Sequence, residues 1–325
     1  IPWYAWVPGT KYSSKTARLT AQPDNIRDFW ETGVNSNTAV SFDKGGQGYK
    51  FRLNYSKQYV QGLIPNSGLD RNVISTDGSI DLNKFITVGA NITFNTAKIN
   101  GEFSDGYANN TSGNFGQWNH RDLDMGIMRE LRGLKTPIGT MASWNWASNP
   151  DGYDPDNPRG FYSGNYWYNF YGYMDELNRT VRRDRYYGNA YIKINPVNHL
   201  SLKGTIRREK ESDYFENKVS SLLERSGSQT GNLASYATGN FYIDEINYEA
   251  IATYSNTFLH NDLGVNLLAG GNIQTYLLKS NSANTNQGLI VPDLYAISNS
   301  KATPSVGNGR LERRVGPTGS SSRPG

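Results

Sequence analysis

The residue types best suited to ligand binding are concentrated in the middle third of the sequence. Trp144 and Trp146 fall on one side of the segment SWNWAS if it is extended, and indole rings in that arrangement could stack on a sugar. Further along, the stretch GNYWYNFYGY contains Tyr166 and Trp167 and has no Leu, Ile or Val. These four residues are our candidates for substrate binding, and aromatic packing inside a large loop is the competing interpretation.

A group of carboxylates lies between the two aromatic stretches, in the segment DGYDPDNP. Asp151, Asp154 and Asp156 offer oxygen ligands of the type that Ca²⁺ prefers, but the glycine and distal glutamate of an EF-hand loop are missing. A proline-rich turn region with Asx caps explains the same residues. They are weak metal candidates, and we expect no metal ion and no other cofactor.

Residues for covalent or acid–base catalysis are scarce. The chain has no cysteine, and its three histidines, His120, His199 and His260, lie far apart in the sequence. Thiolate chemistry is excluded, and neither a metal site nor a Ser-His-Asp triad is indicated. Glycoside hydrolysis would need two carboxylates at a defined separation, which no sequence pattern here pairs. We therefore predict no catalytic residue and no enzymatic activity.

Composition excludes two further classes of protein. The formal net charge of +4 is small for 325 residues and basic residues form no long run, so nucleic acid is not an expected partner. No apolar run reaches the eighteen or more residues of a transmembrane helix. A hydrophobic content of 36% with 13% aromatic residues suits a β-rich protein with much wetted surface.

Alternation of apolar and polar residues is the strongest structural signal. In residues 84–99, one parity carries Ile86, Val88, Ala90, Ile92 and Phe94, and the other carries Thr87, Gly89, Asn91, Thr93 and Asn95. This is the pattern of a strand with one apolar and one polar face. The pattern recurs along the chain and predicts about eight strands, several of them longer than is usual in soluble proteins.

The connections between these strands alternate in length. Short turns rich in Gly, Asn, Asp and Pro are predicted at 43–47, 82–84, 195–198 and 260–262. Long connections are predicted at 61–71, 101–181, 213–240 and 281–308. Helical signals occur at 24–33, where Asp24 is a candidate N-cap and Gly33 a stop, and at 121–134. The pattern predicts an all-β, antiparallel up-and-down meander.

Long two-faced strands can build either a soluble sandwich or a transmembrane barrel. In a sandwich the apolar face is turned inward, whereas in a membrane barrel it faces lipid and the polar face lines a wet lumen. Short turns at one end and long loops at the other are typical of outer-membrane barrels. The sequence therefore favours a transmembrane β-barrel segment with long extracellular loops.

Three stretches resemble one family of outer-membrane proteins. PDNIRDFWETG, then GGQGYKFRLNYSKQYVQGLIPNSGLDRN, and later NRTVRRDRYYGNAYIKINPVNHLSLKGTIRREKESDY occur in the order seen in the SusC/RagA-type TonB-linked transporters. The similarity runs in order along most of the chain, from about residue 19 to about residue 315. It also assigns the short turns to the periplasm and the long loops to the cell exterior.

The resemblance implies an organisation and a function. It implies an internal part of a TonB-dependent barrel, about eight or nine of roughly 22 strands, without a plug domain. We expect an extracellular loop with a short helix at 1–35, the partial barrel at 36–317 and a low-complexity, truncated tail at 318–325. The implied function is import of glycans or peptides across the outer membrane of a Gram-negative bacterium. The implied partners are a SusD-like surface lipoprotein, the TonB complex through the missing plug, and outer-membrane lipid.

The sequence leaves a second function open beside the importer. The alternative function is a soluble β-rich carbohydrate-binding protein or glycosidase that uses the Trp and Asp residues.

Two local features also have more than one interpretation. The charged stretches RRDR at 182–185 and RREK at 207–210 are interpreted as a solvated ion-pair network, with an anionic ligand site as the alternative. For GNYWYNFYGY, the alternatives are loop packing, contact with a ligand or lid, and an aromatic belt at the outer interface.

Overall fold

The computed structural model describes most of the chain. The described residues are 7, 10–11, 13, 20–101, 122–144, 146–147, 153–164, 168–227, 232–258, 262–316 and 319–324, and for the last segment the backbone alone.

One antiparallel sheet of ten strands dominates the structure, and its strands pair strictly in chain order. The strands are β1 Val34–Gly46, β2 Tyr49–Gln61, β3 Gly68–Asn83, β4 Ile86–Asn100, β5 Leu177–Val197, β6 Leu200–Val219, β7 Ser235–Phe258, β8 Leu263–Leu289, β9 Ser300–Gly316 and β10 Gly319–Pro324. This order confirms the predicted up-and-down meander.

The described helices are short and lie between strands or before the first one. They are α1 Asn25–Phe29, α2 Met125–Leu131, α3 Pro158–Phe161, α4 Phe170–Glu176 and α5 Ser221–Ser226, with a 3₁₀ turn at Ile297–Asn299. The helical signals at 24–33 and 121–134 are confirmed by α1 and α2. Asp24 precedes α1 but makes no side-chain capping bond, and the helix ends at Phe29 rather than near Gly33. No helix among the described residues is long and apolar enough to cross a membrane.

Register gives the sheet two chemically different faces. The apolar face carries Ile92, Ile192, Ile206 and Tyr248, and the polar face carries Asn91, Asn189, Arg207 and Asn247. Each set follows from the period of two along a strand, because directly paired residues point to the same side of the sheet.

The apolar face is not covered by any other described part of the chain. Val40 is 66% exposed, Ile92 56% and Leu267 61%. The largest cluster of buried residues instead lies among the helices and loops beyond one end of the strands. The sheet is therefore a single layer whose apolar side needs a partner outside the described residues.

Tight turns join the strands at the opposite end. β1 and β2 are joined through 47–48, β3 and β4 through 84–85, and β5 and β6 through 198–199. These three predicted short turns are confirmed to within a few residues, and most of the fourth, at 260–262, lies outside the described residues. Gly48 and His199 have positive φ values of 78° and 70°, a conformation that tight hairpin turns require and that glycine adopts most readily.

Several strands continue beyond the alternating pattern that predicted them. β6 reaches Val219, β7 begins at Ser235 and β8 reaches Leu289, where the sequence predicted loops over 213–240 and 281–308. The backbone ladder holds these extensions together, and it does not require alternation of apolar side chains.

The tail that was predicted as a low-complexity segment at 318–325 includes a short strand. Gly319–Pro324 pairs with the end of β9, from Leu311 to Gly316. An exposed strand edge offers free backbone donors and acceptors to any extended segment, whatever its side chains. The sheet therefore has ten strands rather than eight or nine.

Candidate functional site

Two neighbouring features form the candidate site. The first is the polar face of the sheet. The second is the loop platform, which we define as α1, the β2–β3 connection, the described parts of the β4–β5 connection and α5. The platform lies at the end of the strands opposite the tight turns, so a molecule that approaches the polar face from that end meets the platform first.

An ion-pair ladder runs along the polar face of β5 and β6. The Arg183 Nη2 lies 2.8 Å from the Asp213 Oδ2, and its Nε lies 3.5 Å from Glu211. Arg185 pairs with Glu209 at 2.6 Å and with Glu211 at 3.6 Å. The network predicted from the two charged stretches is therefore present, with each arginine shared between carboxylates on the neighbouring strand.

Register divides those charged stretches between the two faces. The odd-numbered Arg183 and Arg185 lie on the polar face, whereas Arg182, Arg208 and Lys210 lie on the apolar face. The sequence alone predicted a single ion-pair network for both stretches. They form two separate clusters because successive side chains of a strand point in opposite directions.

A polar cavity of about 270 Å³ opens on the polar face beside the ladder. Its lining includes Asn91, Tyr187, Asn189, Arg207, Glu209, Glu245 and Asn247. Arg207 is held by Glu249 at 2.9 Å and Glu245 accepts from the Gln274 Nε2 at 2.5 Å, so both charged groups are fixed from β7 and β8.

One buried polar atom that lines this cavity, the Asn247 Oδ1, makes no hydrogen bond to any described residue. Buried polar groups in proteins are nearly always paired, so this acceptor is suited to a bound polar molecule or to water. Amide, guanidinium and carboxylate groups together fit the hydroxyls of a sugar or the amides and charges of a peptide.

Helix α4 is the centre of the loop platform, and its cap residue organises it. The Asn169 Oδ1 accepts from the backbone N–H groups of Tyr171 and Gly172 at 3.0 and 3.2 Å, and its Nδ2 donates to the Met128 carbonyl at 2.8 Å. Asn169 is fully buried. One side chain therefore caps α4 and ties it to α2.

Aromatic rings from α1 and α4 pack against one another in the core of the platform. Phe29 from α1 stacks on Tyr171 with ring centroids 5.7 Å apart and meets Phe170 edge-on at 6.2 Å. The Tyr171 hydroxyl donates to the Phe29 carbonyl at 3.1 Å. Burial raises the pKa of Tyr171 to about 12, so the hydroxyl stays protonated and can donate at any physiological pH.

Polar contacts hold the separate segments of the loop platform together. The Arg132 Nε donates to the Asp175 Oδ2 at 2.6 Å, and the Asn66 Nδ2 donates to the Asp175 Oδ1 at 2.6 Å. The hydrogen bond to Asp175 raises the pKa of Arg132 above its ordinary value. Asp175, in α4, therefore joins the β2–β3 connection to the residue that follows α2 within the β4–β5 connection.

The structure places two of the four aromatic candidates. Trp144 is 4% exposed and lies against Phe170 at 5.9 Å between ring centroids, and Trp146 is 2% exposed and stacks on Phe161 at 5.8 Å. The two indoles belong to different buried clusters and do not form one stacking surface. Tyr166 and Trp167 lie outside the described residues.

The carboxylate candidates form a turn where they are described. The Asp154 Oδ1 accepts from the Asp156 backbone N–H at 2.9 Å, which is the Asx arrangement named as the alternative to a calcium loop. Asp151 lies outside the described residues. Across the part of the chain that the structure describes, no three His, Cys, Asp or Glu side chains are grouped closely enough to hold a metal ion.

Sequence reasoning missed several residues that hold the site together. Asn169 could have been found, because an asparagine directly before a short aromatic run is a helix-start signal. The pairing of Arg132 with Asp175 depends on long-range folding, and no local pattern predicts it. The same is true of Asp293, whose carboxylate accepts from the Ser221 N–H at 2.8 Å and from its hydroxyl at 2.7 Å.

Comparison with known proteins gives structural matches alone. No family model and no curated protein matches the chain. Among solved structures, the RagAB peptide transporter matches with a TM-score of 0.64 and 14% identity, covering 96% of this chain and 33% of that chain. The RagAB peptide importer in its closed-closed state gives 0.62 with the same identity and coverage. Its open-open state gives 0.58 at 14% identity, covering 90% of this chain and 30% of that one.

These matches show the fold. The chain is an antiparallel up-and-down β-barrel segment with long loops at one end, and it spans about a third of the length of the transporter chains it matches. Those neighbours are transporters rather than enzymes.

Proposed function

We propose that this chain is part of an outer-membrane importer that binds and translocates glycans or peptides. A TonB complex supplies the energy for this import. One observation carries the proposal. Nearly the whole chain superposes on a third of a peptide transporter, with a two-faced sheet, tight turns at one end and folded loops at the other.

In this proposal the two faces of the sheet have different solvents. The apolar face, with Ile92, Ile192 and Ile206 exposed, faces lipid, where such side chains are stabilised. The polar face, with its ion-pair ladder and cavity, lines the lumen. A closed barrel satisfies every backbone group inside the membrane, so the edges of β1 and β10 would continue into further strands of a longer protein.

Cargo binding is assigned to the loop platform and to the middle of the polar face, where the cavity lies. The cavity beside Arg207, Glu245 and Asn247 offers donors and acceptors of both charge types, which suits peptides and also hydroxyl-rich glycans. Trp144 and Trp146 would shape the platform from inside, because both are buried. Tyr166 and Trp167 remain our proposed direct contacts with cargo.

The proposed partners are those that the sequence resemblance implies. A SusD-like lipoprotein would close over the loop platform from the cell exterior. The TonB complex would act through a plug domain supplied by another part of the protein. Localisation would be the outer membrane of a Gram-negative bacterium.

The proposal is tested with the protein expressed from its complete gene. We expect it in the outer-membrane fraction, with gel migration that changes on heating, and we expect uptake of labelled peptides or oligosaccharides to stop when the TonB complex is disabled. Separate peptide and oligosaccharide panels identify the cargo class. A soluble, detergent-independent monomer that binds sugars would instead support the carbohydrate-binding alternative and contradict the importer.

A further inference from the structure

A shallow groove crosses the apolar face of β5 to β8. Its volume is about 650 Å³. Small residues form its floor and larger ones flank it: Ala190, Gly204, Ala250 and Gly271 below, Ile206 and Tyr248 beside them. Gly204 pairs directly with Ala250, and Ala250 with Gly271, so the floor is continuous across three strands. An apolar depression of this kind fits an extended acyl chain better than a flat sheet does.

A basic and aromatic cluster lies on the same face, a few residues nearer the loop platform. The Arg208 guanidinium makes two hydrogen bonds to Asp244, at 3.0 and 2.9 Å, and the Lys210 Nζ lies 3.9 Å from the same carboxylate. Lys210 also lies between two rings, with its Nζ 5.8 Å from the Tyr186 centroid and 5.7 Å from the Tyr242 centroid.

This cluster keeps a net positive charge after its internal pairing. Two cations share the single carboxylate of Asp244. Lys279 adds a third cation, because it pairs in register with Tyr242 and therefore points to the same face. Positive charge flanked by tyrosines above an apolar band is the arrangement that recognises anionic headgroups at a membrane interface.

We propose that this part of the apolar face binds one anionic membrane lipid, with its phosphate at Lys210 and Arg208 and an acyl chain in the groove. The proposal rests on the proposed function, which places this face against lipid. Ile206 and Lys210 are four positions apart on β6, a rise of roughly 13 Å, so the headgroup site and the groove are within the length of one lipid. The three cations select a headgroup with negative charge, and the groove fixes the position of the lipid's acyl chain.

Native mass spectrometry of the full-length protein in neutral detergent tests this. The probes are phosphatidylglycerol and phosphatidylcholine with identical acyl chains, and we expect the anionic lipid to bind more tightly. Lys210→Gln should weaken phosphatidylglycerol binding roughly fivefold, the factor for one lysine–phosphate interaction at a membrane surface. Lys203→Gln is the matched control, because Lys203 lies on the same strand over the Tyr191 ring but on the polar face.

A second variant tests the groove. Gly204→Leu fills its floor, and a Cβ at that position would meet only the Ile192 Cγ2 at 3.7 Å, an ordinary contact. We expect Gly204→Leu to weaken binding of both lipids while heat-dependent gel migration stays normal. Equal affinity for the two lipids, equal effects of the two lysine variants, or occupation of this face by a second copy of the protein would each overturn the lipid site. Absence of the protein from the outer membrane would instead contradict the proposed function.

Discussion

The loop platform and the sheet are built on opposite principles. The platform has a conventional buried core, in which Phe29, Phe170 and Tyr171 are almost fully enclosed. The sheet is ten strands wide, and most of its length is not covered by any described part of the chain, so that many large apolar side chains are exposed on its apolar face. Local packing therefore stabilises the platform, whereas the sheet depends on backbone pairing and on what surrounds it.

The two regions should therefore depend on the membrane to different degrees. A platform with its own core should keep its shape whatever solvent lies beyond the strands. The apolar face should be stable in lipid or detergent and should aggregate in water, because a continuous exposed apolar surface associates. Substitutions confined to one region can therefore test the stability of the platform and of the sheet separately.

The largest effect is expected from Phe170→Ala in the platform. Truncating a fully buried phenylalanine typically costs about 3–5 kcal/mol, because a cavity is left among the surrounding rings. Hydrogen exchange of α2 and α4 in the full-length protein should rise sharply. Phe42→Ala is the matched control, since Phe42 is exposed on the apolar face of β1, and it should leave those helices protected.

Two neighbouring substitutions on β4 test whether the two faces of the sheet meet different environments. Ile92→Arg would place a charge on the apolar face and should cost about 2–4 kcal/mol near the bilayer midplane. Asn91→Arg places the same residue one position away on the polar face and should cost little. The folded fraction in outer membranes, measured by heat-dependent gel migration, should fall for Ile92→Arg alone; equal losses would mean that the two faces do not differ in solvent.

Asn169→Ala should have an intermediate effect confined to the platform. It removes the cap of α4 and leaves buried N–H and carbonyl groups without their partner, at a cost of about 1–3 kcal/mol. Exchange of the Tyr171 and Gly172 amides should accelerate. Asn157→Ala is the control, because Asn157 caps α3 through Gly160 at an exposed position, and its removal should cost less.

The smallest effect concerns a contact between two loops. Burial would raise the pKa of Asp293, but hydrogen bonds from the Ser221 hydroxyl and N–H outweigh it and hold the pKa below its ordinary value. A carboxylate with a depressed folded-state pKa stabilises the fold above its unfolded pKa and loses that contribution as the pH falls. The Ser221 contact should therefore weaken below about pH 4. Asp293→Asn should abolish this pH dependence, as measured by protection of the Ser221 amide; a dependence that persists would assign the effect to another group.

The sequence predicted the sheet better than the platform for a physical reason. The two faces of β4 follow from a period of two that is visible in Ile86 to Phe94, and the tight turns follow from local Gly, Asn and Pro. Both signals are local. They end where β6 and β8 extend into polar segments, and Gly319–Pro324 pairs with β9 without any pattern of its own.

The platform depends on contacts between distant segments. Phe29 meets Tyr171, and Arg132 meets Asp175, through folding of the whole β4–β5 connection rather than through spacing. The part of GNYWYNFYGY that the structure describes, from Tyr168, contributes to this core, which supports the loop-packing interpretation of those rings. No single-sequence signal distinguishes a buried indole such as Trp144 from one that faces cargo.

In the proposed importer, one face of this sheet meets lipid and the other meets water inside a longer barrel. The chain has no cysteine, so single cysteines at residues 91 to 94 of β4 can report on each face separately. In outer membranes that contain the full-length protein, a water-soluble maleimide should label Asn91→Cys and Thr93→Cys and should leave Ile92→Cys and Phe94→Cys unlabelled. Labelling of all four positions, or of the even-numbered pair alone, would contradict the assignment of lipid to the apolar face and water to the polar face.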